Sequence, residues 1–230
     1  YFWADTFLAL PDKYFEEFAE MYSSEIGLPF WCQTRPETLT EQRVALLKDM
    51  GIHRMGLGLE HGNAKFREKM LDRKVSNDKI IDSLKILNAF EVKYSVNNII
   101  GFPNETRELA MDTIRINRRI NADTQNMYTF TPFHGTPLRE IAVEQGLIPE
   151  DLVVKSLSAP TVLDMPRFSA ESIEGLKRCF IPYVLLEEDR WPEIKKAESL
   201  SDQGNAKWEE LIEECRERFF EQFLPELDEG

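Results

Sequence analysis

Apolar and polar positions alternate most cleanly over Arg54–Glu60, where Met55, Leu57 and Leu59 interleave with Gly56, Gly58 and Glu60. This period of two predicts a strand with one bulky apolar face and one small face ending in a carboxylate. Further strands are predicted over Tyr1–Ala9, Leu28–Thr34, Val92–Ile100 and Thr124–Phe130. The helical period appears between them. Phe15, Phe18, Ala19 and Tyr22 recur at i, i+3, i+4 and i+7 and predict a helix over Pro11–Ser24. A second helix runs from Thr40 to Met50 and is closed by Gly51. Others are predicted over Ala64–Asp72, over Ser76–Phe90, and from Asn104-Glu105-Thr106 to near Ile120.

Asp5, Gln33, Glu60, Asn97 and Phe130 stand at or near the strand ends, about 30 residues apart, the length of a strand plus its crossover helix. Repeated units of that size predict right-handed βαβ crossovers and a parallel sheet. Polar groups gathered at one end of parallel strands mark a binding site. Five strands are too few for a full eight-stranded barrel. The expected fold is α/β: an incomplete (β/α)6 partial TIM-like barrel over residues 1–138, then a helical C-terminal extension over 139–230. In the extension, Leu138–Gln145, Ala170–Glu188 and Asn205–Phe223 read as helices, joined by an irregular stretch, Ser158–Phe168. Tyr1 opens directly on an aromatic-rich strand, so the chain is expected to be a fragment of a longer protein.

Composition sharpens what the chain meets. A hydrophobic content of 42% with 30% charged residues fits a globular protein with a sizeable core. The net charge of -13 argues against nucleic acid or an anionic membrane as the main partner. No apolar run approaches the roughly 20 residues that span a bilayer, and no signal-peptide pattern is visible. Cys32, Cys179 and Cys215 form neither a CxxC pair nor a zinc pattern, which suits free thiols in a reducing, cytoplasmic setting.

Several residues are candidates for chemistry. Glu60, followed by His61-Gly62-Asn63, could accept hydrogen bonds from a ligand or be a surface loop carboxylate. Arg73 could swing over the strand ends and clamp a carboxylate bidentately, or stand in solvent. Asn97 and Asn98, inside an apolar strand, need partners, from a ligand or from a neighbouring strand. Gly101-Phe102-Pro103 would let the backbone approach a flat ligand. It lacks the Gly-Lys-Ser/Thr of a phosphate loop, so a nucleoside triphosphate is not expected. Of His53, His61 and His134, only His61 is well placed for the site, and the three together make no metal site.

Six segments in order, WADTF, LPFWCQTRPETLT, MGLGLEHGN, REKMLDRKVSND, VNNIIGFPNET and YTFTPFHGTPL, resemble the radical S-adenosylmethionine (SAM) family. They resemble in particular its branch that often carries an N-terminal cobalamin-binding domain. The resemblance covers about residues 1–138. It implies an enzyme that cleaves SAM at a 4Fe–4S cluster to start radical chemistry, of the methyl transfer or cyclisation type. The CxxxCxxC loop that holds the family's cluster is absent, and Cys32 does not replace it. The resemblance therefore implies that the chain begins at the second barrel strand, that the cluster ligands lie upstream, and that this piece alone is inactive. It also implies a small-molecule substrate, an electron donor such as flavodoxin or ferredoxin, and cobalamin in a preceding domain.

By position, the resemblance assigns Ala4-Asp5-Thr6 to the SAM amino group and Gln33, or Arg35 two residues on, to the next strand end. Glu60 takes the ribose or methionine contact and Arg73 the SAM carboxylate. Asn97 takes a ribose position, Asn98, Ile100 and Gly101 belong to the adenine motif, and Phe130 and Thr131 cover the adenine. Two rivals remain: a different (β/α) barrel enzyme, and a non-catalytic, degenerate barrel that binds an adenosyl ligand or a protein partner.

Overall fold

The computed structural model describes residues 1–154, 156 and 159–220, with nothing said of the Phe220 side chain. Four strands, β1 (Phe30–Thr34), β2 (Ile52–Glu60), β3 (Lys93–Ile100) and β4 (Thr124–Thr129), form one sheet in that order. β1 and β3 both pair parallel to β2. The β3–β4 bonds advance in one direction, from Asp123 N–H on the Tyr94 carbonyl to Phe130 N–H on that of Ile100. Strands in sequential order and all parallel are the repeated βαβ plan that the spacing predicts.

The chain divides into two compact units, the first Tyr1–Asn98 with Arg119–Asn126, the second Ile99–Arg118 with the chain from Met127 on. In the first, α1 (Asp12–Glu25), α2 (Glu41–Asp49), α3 (Ala64–Leu71) and α4 (Asn77–Ala89) alternate with the strands. Met55, Leu57 and Leu59 of β2 are fully buried with Val44, Leu47, Ile80 and Leu87 of the helices, so the bulky face is the core face. Gly56, Gly58 and Glu60 stay partly open on the other. The side-chain oxygens of Thr40, Asn63 and Ser76 accept from the third following N–H and cap α2, α3 and α4.

The second unit holds α5 (Arg107–Asn117), capped by Thr106, and α6 (Pro137–Glu144). After these come α7 (Ala170–Arg178), α8 (Phe180–Leu185), α9 (Trp191–Ala197) and α10 (Asp202–Cys215). Its core is built on Ala110, Ile114, Ile173, Phe180, Tyr183, Ile194 and Leu211. A buried Glu198 carboxylate accepts from Tyr183 Oη at 2.6 Å and pairs with Arg107 and Lys195.

Two expectations are corrected, and one element is added. The strand over Tyr1–Ala9 is a single parallel bridge, Phe2 to Cys32, followed by a turn and a 3-10 turn at Phe7–Ala9. Its apolar content serves side-chain packing rather than pairing, since Phe2 sits among Phe7, Phe18, Tyr22 and Phe30 at ring distances of 4.9 to 5.9 Å. The helix expected over Ala170–Glu188 breaks at Cys179, three residues before Pro182, which has no N–H to carry a helix onward. Trp191–Ala197, to which the sequence reading assigns no element, is a helix with proline in its first turn. Of the other expected spans, residue 158 of the irregular stretch and the helix end at 221–223 lie outside the described residues.

Candidate functional site

The first unit builds its site where β2 ends. Glu60 has φ +69°, and the His61 N–H donates to the Leu59 carbonyl at 3.0 Å, closing a γ-turn around it. A positive φ at a residue with a Cβ is strained by about 1–3 kcal/mol, and such strain gathers at functional sites. The β2–β3 register also slips between Gly58 and Glu60, a bulge that re-aims the Glu60 side chain. The Glu60 carboxylate lies where a Cβ at Gly58 would stand, so a side chain at Gly58 would displace it from this position.

Arg73 comes to this turn from the loop between α3 and α4. Its side chain is 6% exposed. Nη1 donates to the Gly58 carbonyl at 2.9 Å and lies 3.7 Å from Glu60 Oε1. Nη2 reaches both Glu37 carboxylate oxygens, at 2.8 and 3.1 Å. Nε is buried without a hydrogen-bond partner. The expected solvated alternative for Arg73 is thus not what folds. Burial pushes the Glu60 carboxyl above its ordinary range, against the nearby positive charges of Arg73 and Arg35.

Arg67, fully buried, secures the loop that carries Arg73. It donates to the carbonyls of His61 and Val75 and to Asn77 Oδ1. Asn77 Nδ2 in turn donates to the Gly62 carbonyl at 2.8 Å. Burial, with the like charge of Arg73, lowers the Arg67 guanidinium to about 10. His61 belongs to this scaffold and not to a ligand-facing wall: it is fully buried, and its Nδ1 accepts from the Asn63 N–H at 3.0 Å. Beside Arg73 opens a cleft of about 450 Å³ lined by Arg35, Glu37, Asp72, Lys74, Ser76 and Lys79.

On the open face of the sheet, Gln33 and Asn97 flank Gly56, and Asn97 Oδ1 accepts from Asn126 Nδ2 at 2.9 Å. Asn98 points to the other face, fully buried, and donates to the Asn126 carbonyl at 3.0 Å. Both amides therefore have partners on the neighbouring strand. Ala4 and Thr6 are half-buried and Asp5 is exposed, around the turn that replaces the expected first strand.

In the second unit, Gly101 has φ +83°, and Ile173 of α7 fills the space above it. The close approach at this glycine is made by that isoleucine. The Glu105 carboxylate, almost fully buried, accepts from the N–H groups of Gly101 and Phe102 at 2.5 and 2.9 Å. Ile100 is buried, Phe130 packs on Phe102 at 5.3 Å between ring centres, and Thr131 is half-buried beside them in sequence. Glu37, Arg67 and Glu105 are the functional neighbours that sequence reasoning missed. Glu37 is defined by a partner distant along the chain, Arg67 by loop carbonyls and Glu105 by two loop N–H groups, and the one local signal was Asn104-Glu105-Thr106, read only as a helix start.

Residues 2–116 match the family model described as the radical SAM superfamily. An uncharacterized methyltransferase of Pyrococcus horikoshii is 26% identical over 161 residues, covering 70% of this chain and 35% of that protein. A tRNA-2-methylthio-N(6)-dimethylallyladenosine synthase of Halalkalibacterium halodurans is 29% identical over 108 residues, 45% of this chain and 20% of its own length. The chain thus spans 35% or less of these two curated relatives. The radical S-adenosylmethionine methyltransferase TsrM from Kitasatospora setae, solved with cobalamin and a 4Fe-4S cluster, superposes with TM-score 0.51 at 15% identity. That match covers 89% of this chain and 48% of TsrM. The cobalamin-dependent S-adenosylmethionine radical enzyme OxsB, with aqua-cobalamin, superposes with TM-score 0.54 at 10% identity, over 93% of this chain and 38% of OxsB. At such identities the structures speak for the fold alone, a partial TIM-like sheet with a helical C-terminal part. The family model matches half of the chain, and on that ground the chain belongs to the radical SAM superfamily.

Proposed function

We propose that this chain is the SAM-holding part of a radical SAM enzyme that transfers a methyl group to a small molecule. The observation that carries the reading is the strained Glu60 turn with the buried Arg73 guanidinium beside it. SAM is a zwitterion, so its methionine end needs an anion for the ammonium and a cation for the carboxylate. Glu60 and Arg73 supply that pair in one unit, and the orphaned Arg73 Nε is a donor still in need of an acceptor. Asp5, with Ala4 and Thr6, is proposed to meet the ammonium, Gln33 or Arg35 the next strand-end contact, and Asn97 the ribose. Asn98, Ile100, Gly101, Phe130 and Thr131 keep their proposed adenine roles.

A bound 4Fe–4S cluster would supply the electron that cleaves SAM. The cysteines of this chain do not fit it. All three are buried, and burial lifts Cys32 and Cys179 to about 12 and Cys215 to about 11, far from the thiolate a cluster needs. Among the described residues no group of three or more His, Cys, Asp or Glu is placed to hold a metal ion. Cluster, cobalamin and a reductant such as flavodoxin or ferredoxin are therefore proposed to be bound by other parts of the protein, in the cytoplasm. Among the described residues no helix is long and apolar enough to cross a membrane.

Equilibrium binding of SAM to the whole protein tests the reading. Glu60→Ala and Arg73→Ala are each expected to weaken it about tenfold or more, the loss of one charge-assisted contact. Unchanged affinity in both variants overturns the assignment. Anaerobic reconstitution with iron and sulfide, followed by assay for 5′-deoxyadenosine, tests the chemistry.

A further inference from the structure

We infer that Glu37 is a displaceable counter-carboxylate: it holds Arg73 in place while the site is empty and yields it to the carboxylate of an incoming amino-acid group. The inference rests on the SAM-binding reading above and concerns how that site admits its ligand. Arg73 is already spoken for on both terminal nitrogens, by the Gly58 carbonyl and Glu60 on one side and by both Glu37 oxygens on the other. With its side chain 6% exposed, the guanidinium offers no free edge through which a ligand carboxylate could enter bidentately. With the ligand's ammonium taken by Glu60, its carboxylate would still meet the Glu37 carboxylate at the same guanidinium nitrogen. Like charges at such spacing repel strongly even near a protein surface. One resident acid has to leave.

The geometry selects Glu37. Glu60 is fixed by its γ-turn, by the strand bulge and by the close fit over Gly58. Glu37 instead sits on a lone 3-10 turn, Pro36–Thr38, at the edge of the 450 Å³ cleft, so the two acids differ in the backbone that carries them and not in exposure, 27% for Glu37 and 28% for Glu60. That cleft holds cations to receive it. Arg35 and Lys79 are exposed there, and Lys74 has only a long contact of 3.9 Å to Glu68. A rotamer change of one side chain moves Glu37 from Arg73 to these partners without unfolding an element. Glu37 is thus a positioning residue, acting on the ligand through Arg73.

The test compares two ligands on the whole protein by equilibrium binding: SAM, and decarboxylated SAM, which lacks the carboxylate that would compete with Glu37. Glu37→Gln is expected to bind SAM about five- to tenfold tighter, with decarboxylated SAM held within about twofold of wild type. Glu37→Ala is expected to show the same selectivity, and a thermal melt confirms that each variant is folded. Equal weakening of both ligands makes Glu37 a mere support for Arg73 and overturns the inference, as does unchanged SAM affinity. Arg73→Ala is run in parallel. If it loses SAM while neither Glu37 variant gains, this inference alone falls. If it keeps SAM, the assignment of Arg73 to the SAM carboxylate falls with it.

Discussion

Glu60 carries opposing demands, and its proton shows them. Burial raises its carboxyl above the ordinary value, so the folded chain holds that proton more tightly than the unfolded chain does. Below the unfolded pKa, about 4.3, both states are protonated and nothing is lost. As pH rises past it, the unfolded state ionises first, and the folded state loses stability until its own pKa is passed. Glu60→Gln is therefore expected to melt higher than wild type at pH 7, with the advantage gone near pH 3. Melting curves across that range check the sign. Glu60 and Arg73 were legible in the sequence because a strand period pointed at one and a loop arginine followed it. Glu37 was not, since its meaning depends on a guanidinium 36 residues on, and no local pattern encodes that meeting.

Elements were legible where local chemistry decides them. Thr40, Ser76 and Thr106 sit where the sequence places helix starts, and each accepts the bond a cap should. Thr106→Ala is expected to cost about 1 kcal/mol in denaturant unfolding. Failures came where tertiary packing overrules pattern, as at Phe2, whose ring joins a cluster while its backbone makes one bridge. The pair of loops flanking α3 is the less visible case. Arg67 satisfies two carbonyls and an amide there, and its removal leaves these acceptors without it in the interior. Arg67→Ala is expected to destabilise by about 3 kcal/mol and to weaken SAM binding as well, because the segment carrying Arg73 loosens. A drop in stability with SAM affinity intact would separate the two roles.

For the molecule as a whole, the thiols give a direct readout. One buried cysteine lies in the first compact unit and two in the second, and all three are held protonated. Labelling by a disulfide reagent at pH 8 is expected to be negligible in the native chain and complete in denaturant. The 230-residue chain alone is likewise expected to take up no iron–sulfur chromophore. The parallel sheet was readable from spacing, but the division into units was not, because it cuts β3 and β4 within their lengths.

The turn at Gly101 has a consequence for how anions meet this part of the fold. Two adjacent backbone N–H groups turned to one point form the kind of cradle that elsewhere grips phosphate. Here the protein has filled the cradle with its own Glu105 carboxylate. A phosphate brought to this turn would find both donors already taken by the protein's own side chain. An anion is thereby kept off this turn, and Gly101 and Phe102 keep their backbone donors for the fold itself.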